Sequence, residues 1–390
     1  MDDQKKGEIE AWVKKAVEQG YDNEQIREIL KSNKYTDEEI NEVLSVRAEL
    51  KIKNKLKSSK APILEKMSLD EVPVEIKEAY DLIFKVKEEV GKVIVGQKDA
   101  VDAFMCALLC DGHVLLEGVP GIAKTLLVKT LAQASGCSAK RIQFTVDLLP
   151  SDIIGITTYT PNKGFETIKG PIFANFIIAD EINRSPPKTQ SAMIEAMQEK
   201  QVTIAKETYP LPKPFFVMAN NNPLESSGVY DLPEAQVDRF LFKVLMGYPT
   251  KEEEKMIMID NSTLRSFESF NVKPILSPEK ILRMQEMTKN IFMSEKVKDY
   301  IVRIVDKTRK KDFPHGKYIE WGGSPRANIG LFIAAKAWAL INGRNYVIPN
   351  DVKSIAHYVL RHRIILNYKA RAEGVTSDKI IDEILFMVGV

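Results

Sequence analysis

The chain has 390 residues, enough for two or three domains, each with its own core. Hydrophobic residues make up 44%, charged residues 28%, and the formal net charge is +2, the make-up of a soluble globular protein. That balance argues against nucleic acid as an obligatory partner, although it does not exclude a local basic stripe.

The opening residues are too charged for a signal peptide, and no apolar run is long enough to span a bilayer. A cytoplasmic protein is therefore expected. Residues 1–50 read as a small helical unit. Tyr21-Asp22-Asn23-Glu24-Gln25-Ile26 and Tyr35-Thr36-Asp37-Glu38-Glu39-Ile40 repeat one pattern, and Asp22 with Gln25 and Thr36 with Glu39 fit capping-box spacing. The unit is either a docking module for a partner or a membrane-bound client, or an appendage that stabilises an oligomer. Residues 51–73, rich in Lys and Ser around Pro62, read as a linker.

From Val74 the apolar spacing becomes helical (Ile76, Tyr80, Ile83, Phe84, Val90) and leads into Ile94-Val95-Gly96-Gln97. The next helix carries Cys106 and Cys110 four apart on one face. With Cys137 they make an odd total of three, which speaks against a disulfide scaffold. No second Cys or His pair stands at ligand spacing, so they read as small core residues.

The stretch His113 to Thr130 is the one the chain is organised around. Val114-Leu115-Leu116 is a buried-strand run, Gly118-Val119-Pro120-Gly121 a turn, and a helical pattern resumes at Lys124. A phosphate-binding loop needs this strand–loop–helix setting, in which backbone N–H groups and a helix N-terminus face the anion. Gly118, Val119, Pro120, Gly121, Ile122, Ala123, Lys124, Thr125 and Leu126 are the expected nucleotide-binding residues. Lys124 would reach the β- and γ-phosphates, and the Thr125 hydroxyl would ligate Mg²⁺. Ala123 occupies the position of the motif's second Gly, and a methyl there is tolerated where φ is negative, so the loop is expected to close in that conformation.

Apolar strands and helices then alternate, the signature of an α/β domain with a largely parallel sheet. Candidate strands are Ile142–Thr145, Phe176–Ala179 and Phe215–Ala219, with a helix over Lys188–Glu199 and a hairpin-like insertion from Gln201 to Pro214. The strand Phe176–Ala179 runs straight into Asp180-Glu181. At the C-terminal end of a strand, where α/β folds hold ligands, Asp180 would hold Mg²⁺ through its water shell and Glu181 would orient and deprotonate the attacking water. Beyond about Thr250 the strands stop, and residues 277–390 read as a second, all-helical domain, with Ser277-Pro278 as a cap and first turn.

The runs ADEINRSPPKTQSAMIEAMQEKQVTI, NPLESSGVYDLPEAQVDRF and GGSPRA resemble the MoxR family of AAA+ ATPases over about residues 75–390. The resemblance implies an AAA+ α/β nucleotide-binding core over 74–250 and a helical lid over 251–390. The family's Ala in the phosphate loop matches Ala123. Asn222 falls at the sensor-1 Asn, which positions water against the γ-phosphate; Asn220 and Asn221 are its neighbours, and the register rests on Pro223. Arg239 aligns with the arginine finger that reaches an adjacent subunit's nucleotide, and Arg326 with the sensor-2 Arg of the lid. Ile94, Val95, Gly96 and Gln97 sit where the family contacts adenine, while Arg184 and Lys188 could face a subunit boundary.

The family's two insertions are also present. Asp147 to Gly170 is expected to extend a helix, Gln201 to Pro214 to form a hairpin, and Tyr159, Phe165 and Tyr209 are candidate exposed aromatics. The implied protein is an ATP- and Mg²⁺-dependent homo-oligomer, a hexameric ring, acting on a protein client or with a partner bearing a von Willebrand factor A domain. A nucleic-acid-dependent motor and a slow nucleotide-switch scaffold are the alternatives, with a small-molecule kinase more distant.

Overall fold

The computed structural model describes residues 72–119, 121–161, 164–221, 230–260 and 267–390. The helical unit expected over 1–50, most of the linker expected over 51–73, Pro120 and Asn222 lie outside these residues.

Two helices, α1 (Val74–Gly91) and α2 (Lys98–Leu109), precede the sheet. The order then runs β1 (Val114–Gly118), α3 (Lys124–Ala134), β2 (Ala139–Gln143), α4 (Pro150–Ile154), β3 (Gly155–Thr160), β4 (Gly164–Lys169), β5 (Phe176–Asp180) and α5 (Pro187–Glu199). A second hairpin follows, β6 (Gln201–Ile204) and β7 (Glu207–Pro210), then β8 (Phe216–Asn221), α6 (Glu234–Val237), β9 (Phe242–Met246) and α7 (Lys251–Asp260). The helical region holds α8 (Pro278–Asn290), α9 (Glu295–Arg309), β10 (Ile319–Trp321), α10 (Pro325–Ile341), α11 (Pro349–Leu360), β11 (Ile365–Leu366), α12 (Tyr368–Ala372) and α13 (Ser377–Met387).

Five parallel strands stand in the order β2-β5-β8-β1-β9. Both faces are covered, so β5 reads as a continuous apolar run instead of an alternating one. Phe176 and Ile178 face the cluster built with α1, α2, α3 and the lid helices, whereas Ile177 and Ala179 face the cluster built with α5 and the insertions. Phe216 stacks between Phe104 and Phe176, ring centroids 6.1 and 5.2 Å apart, and burying each such side chain contributes about 1.5–3 kcal/mol.

β9 was not among the strands expected from sequence, because Lys243 interrupts its apolar run. Its Nζ pairs with Glu117 Oε2 of β1 at 2.6 Å, across neighbouring strands. β2 ends earlier than expected, at Gln143, after which Phe144 turns into the core.

The insertion from Asp147 to Gly170 is not an extended helix. After the single turn of α4, β3 and β4 pair antiparallel from Gly155↔Lys169 to Thr160↔Gly164. Gly155 ends the helix at φ 111°, and a Cβ there would meet Ile168 O at 2.2 Å, so the chain must turn into strand. The residues that follow, Ile156-Thr157-Thr158-Tyr159-Thr160, are β-branched or aromatic and suit a pleated ribbon. Tyr159 and Phe165 are exposed and meet edge to face at 5.3 Å. Tyr209 differs from that expectation: it is half-buried beside Phe173 and under Lys169.

In the lid, Ser277 caps α8, accepting from Lys280 N–H at 3.4 Å, with Pro278 in the first turn. Besides its helices the lid carries the short antiparallel pair β10–β11. Helix α10 is buried along Ala327, Leu331, Ala334 and Ala335, and Cys106 of α2 and Cys110 at its C-terminal cap pack against it as small side chains. Among the described residues no helix is long and apolar enough to cross a membrane.

One buried histidine ties α5 to β8. His113 Nε2 donates to Met197 O at 3.0 Å, and its Nδ1 accepts from Val217 N–H at 3.1 Å, so the ring is neutral. Burial lowers its pKa from 6.5 to about 4. Between those values the unfolded chain binds the proton and the folded chain does not, so stability is intact above the unfolded pKa and falls as pH drops through this window. His362 shifts the same way for the same cause. The urea midpoint is expected to correspond to about 2 kcal/mol less stability near pH 5 than near pH 7.5 from His113 alone. The pH slope should shrink in His113→Gln; an identical slope would remove His113 as its source.

Candidate nucleotide site

The phosphate loop joins β1 to α3 at the C-terminal edge of the sheet. Gly121 has φ 83° and Ala123 φ 62°, ψ 28°. Ala123 is therefore left-handed, not in the negative-φ conformation expected of a residue with a methyl. The loop closes nonetheless: Ala123 O accepts Leu127 N–H at 2.9 Å and starts α3. Holding an L-residue there costs roughly 1–2 kcal/mol, and a left-handed residue set among residues of negative φ turns successive backbone N–H groups toward one point, an anion-binding nest.

Lys124 Nζ donates to Gly118 O at 2.6 Å, folding back over the loop. Burial lowers its pKa, opposed by Asp180, Glu181 and Glu117. The loop lines an open cleft of about 470 Å³ with Asp180, Glu181 and Asn220.

Parallel register brings the rest of the site together. Gln143 pairs with Asp180, and Ala179 with Ala219, so Gln143, Asp180 and Asn220 lie in one row at the C-terminal ends of three adjacent strands. Asp180 is 7% exposed, and its Oδ2 accepts from Arg141 Nε at 2.7 Å and lies 3.4 Å from Thr125 Oγ1. The buried Asn220 donates from Nδ2 to Asp180 Oδ1 and accepts the Glu181 N–H on its Oδ1. Glu181 is left-handed at φ 56°, and its Oε2 accepts from Gln143 Nε2 at 2.7 Å and pairs with Arg184 Nε at 3.2 Å. Arg141 also donates to Gln143 Oε1 at 2.7 Å, linking the two carboxylates through a second path.

Arg141, Gln143 and Asn220 were not among the expected functional residues. For β2 a signal existed, since Arg141 and Gln143 are two apart and so share a sheet face. Asn220 stood in the Asn run, one strand residue inside the turn favoured for Asn222.

The donor set suits Mg²⁺. A hard cation of this kind is held by one or two carboxylates and by phosphate oxygens, retaining waters. Thr125 Oγ1 and Asp180 Oδ2 are oxygen donors side by side at the cleft. Among the described residues there is no group of three His, Cys, Asp or Glu that would form an all-protein metal cage.

The structure does not bring every expected residue to this cleft. Ile94 is buried and Val95, Gly96 and Gln97 are half-buried; Gln97 lies at a neighbouring strand end, where its Nε2 donates to Gly247 O at 3.1 Å, one residue past Met246, which pairs with Gly118. A second cleft of about 390 Å³ opens there, lined by Gln97, Tyr248 and Glu253. Lys188 is exposed on α5.

Arg239 and Arg326 are elsewhere. Arg239 precedes β9, whose Phe242 pairs with Val114 at the start of β1, so Arg239 is at the end of the sheet opposite Lys124. It is exposed and donates to Gln198 Oε1. Arg326, at the start of α10, lies 3.6 Å from Asp238 Oδ2 and lines the same surface hollow as Arg239, Lys200 and His113.

A parallel sheet of this order, a phosphate loop, a strand-end acid pair and a following helical lid define a P-loop ATPase of the AAA+ class. Two family models match accordingly: one described as the ATPase family associated with various cellular activities, over residues 113–242, and one described as the AAA lid domain, over 315–384. The chain is 47% identical over 302 residues to Chaperone MoxR1 of Mycobacterium tuberculosis, covering 76% of this chain and 79% of that one. It is 44% identical over 312 residues to the uncharacterized protein YeaC of Bacillus subtilis, covering 80% and 95%. The crystal structure of a candidate ATPase from Cytophaga hutchinsonii superposes with a TM-score of 0.75 at 46% identity, covering 81% of this chain and 96% of that one. The chain belongs to the MoxR family of AAA+ ATPases.

Proposed function

We propose that the protein is a ring-forming ATPase that hydrolyses Mg-ATP at subunit boundaries and uses the cycle to remodel or mature a partner protein complex. Residues 74–250 form its nucleotide core, 251–390 its lid. The chaperone named among its relatives supports the client role, and the client is a protein or a partner bearing a von Willebrand factor A domain. The ring is hexameric and cytoplasmic in this reading.

Lys124 would neutralise the β- and γ-phosphates, with the loop N–H groups between Gly118 and Leu126 as further donors, and Thr125 and Asp180 would hold the Mg²⁺. Glu181 accepts the proton of the attacking water, which Asn222 helps to place. Ile94–Gln97 border the adenine. Arg239 and Arg326 supply positive charge to the γ-phosphate of the adjacent subunit.

The separation of Lys124 from Arg239 carries this reading. They are at opposite ends of five-residue strands, roughly 16 Å of backbone rise, so one subunit's finger is out of reach of its own phosphate loop. Specific Mg-ATP turnover is expected to climb with protein concentration until the ring is saturated. Turnover per subunit that is flat from nanomolar to micromolar protein would sink the shared site.

A slow nucleotide switch is the second reading, favoured by the engagement of Glu181 with Arg184 and Gln143. Tight ATP binding with scarcely any turnover, at all protein concentrations, would move it ahead.

A further inference from the structure

Three consecutive residues that follow α11, Arg361, His362 and Arg363, all reach back to the start of β9 or to the segment that leads into it. Arg361 Nη1 donates to Lys243 O at 2.8 Å, and His362 Nε2 to Phe240 O at 3.0 Å. Arg363, with a side chain only 3% exposed, commits its whole guanidinium. Its Nε donates to Asp238 Oδ1 at 2.8 Å, and its Nη2 to the carbonyls of Asp238 at 3.1 Å and Phe240 at 2.7 Å. Its Nη1 donates to Leu241 O at 3.1 Å and to Val359 O.

The other carboxylate oxygen of Asp238 accepts from Ser324 Oγ at 3.2 Å and faces Arg326 at 3.6 Å. From the sheet side the same segment is held by Leu241 N–H on His113 O at 2.9 Å. Desolvating a guanidinium is costly, and an apolar side chain would fill the space more cheaply. What Arg363 does that an apolar residue cannot is bind the carbonyls of residues 238, 240 and 241 at once, with a rigid planar fork. Arg239 lies inside that bound segment.

We propose that Arg363 is the positioning residue for Arg239: it fastens the segment 238–241 to the lid, so that the finger offered to the neighbouring subunit follows the lid of its own subunit. The proposal rests on the reading that Arg239 acts on the adjacent subunit's nucleotide.

Arg363→Lys in the full-length chain keeps the charge but replaces the fork by a single ammonium. The expected result is affinity for a fluorescent ATP analogue within about twofold of wild type and Mg-ATP turnover lower by about 10²-fold, the loss that a misplacement of about 1 Å produces. Mixing these subunits with Lys124→Ala subunits, which have no working phosphate loop but an intact finger, is expected to restore turnover at least about tenfold. A neighbour cannot repair a defect confined to a subunit's own site, so a merely structural role would not respond to mixing.

Arg239→Ala is carried through the same mixing series. If it turns over normally alone, the reading of the shared site falls, and this proposal with it. If it is inactive alone and rescued by mixing, while Arg363→Lys is either unimpaired or not rescued, the positioning role alone is overturned. Should Arg363→Lys not yield folded protein, Asp238→Asn loosens the same fastening from its half-exposed side and carries the same expectations. Unimpaired turnover or failure to be rescued by mixing overturns the proposal there too.

Discussion

Arg239→Ala is expected to lower Mg-ATP turnover by about 10³-fold while leaving ATP affinity near wild type, since a finger stabilises charge that develops only in the transition state. The physical case is positional. Arg239 is exposed beyond the N-terminal end of β9, touching Gln198 and far from its own Lys124. Its removal leaves the anchored neighbours Asp238 and Phe240 in place, because Arg363 and His362 hold those through their carbonyls. Arg239→Lys should recover little, as an ammonium cannot reproduce the fork that meets phosphate oxygens in pairs. Steady-state turnover and equilibrium ATP binding decide it. Turnover within a few-fold of wild type at saturating protein would return Arg239 to the status of a surface residue.

Glu181→Gln is expected to bind Mg-ATP like the wild type and hydrolyse it about 10²–10⁴-fold more slowly, the usual worth of a positioned general base. The change is nearly isosteric, and the backbone at this position is held independently by Asn220 Oδ1 on the Glu181 N–H. An amide oxygen can still accept from Gln143. What disappears is the capacity to take a proton, together with the pairing to Arg184. The left-handed backbone of Glu181, a costly conformation for a residue with a side chain, points its carboxylate from the strand end into the cleft. Filter binding should find ATP retained, unhydrolysed, on the mutant. Near-normal turnover would remove Glu181 from the role of base.

The two variants also separate the contributions of the sites. In the proposed function, Arg239→Ala removes charge supplied from outside the subunit, and Glu181→Gln a proton acceptor within it. Mixed rings would therefore rescue Arg239→Ala through a neighbour but leave each Glu181→Gln site inactive.

Much of this architecture was legible in the sequence because strand burial and helix periodicity are local. Phe176–Ala179 is apolar at every position since both sheet faces are covered, and Asp180-Glu181 marks where that strand meets ligand space. Lys124 and Thr125 follow a Gly-bearing turn between a strand and a helix, a pattern contained within a few residues. The insertion Asp147–Gly170 misled for a complementary reason: helix extension was implied by resemblance, whereas the Thr- and Tyr-rich run after Gly155 favours a ribbon. At Ala123 the methyl suggested negative φ, but loop closure demands left-handed backbone and outweighs the side chain's local preference.

By itself, then, the sequence determined the parallel α/β core, the phosphate loop, the acid pair and a helical lid, each written in contiguous residues. Only the tertiary structure decided which side chains meet. Strand order and register set Arg141, Gln143 and Asn220 against Asp180 and Glu181, although they come from three separate strands. The packing of the lid onto the entry to β9 set Arg363 against Asp238, 125 residues away in the chain. Periodicity records whether a face is buried; it carries no record of the face opposite, and the chemistry of this site is made by opposite faces.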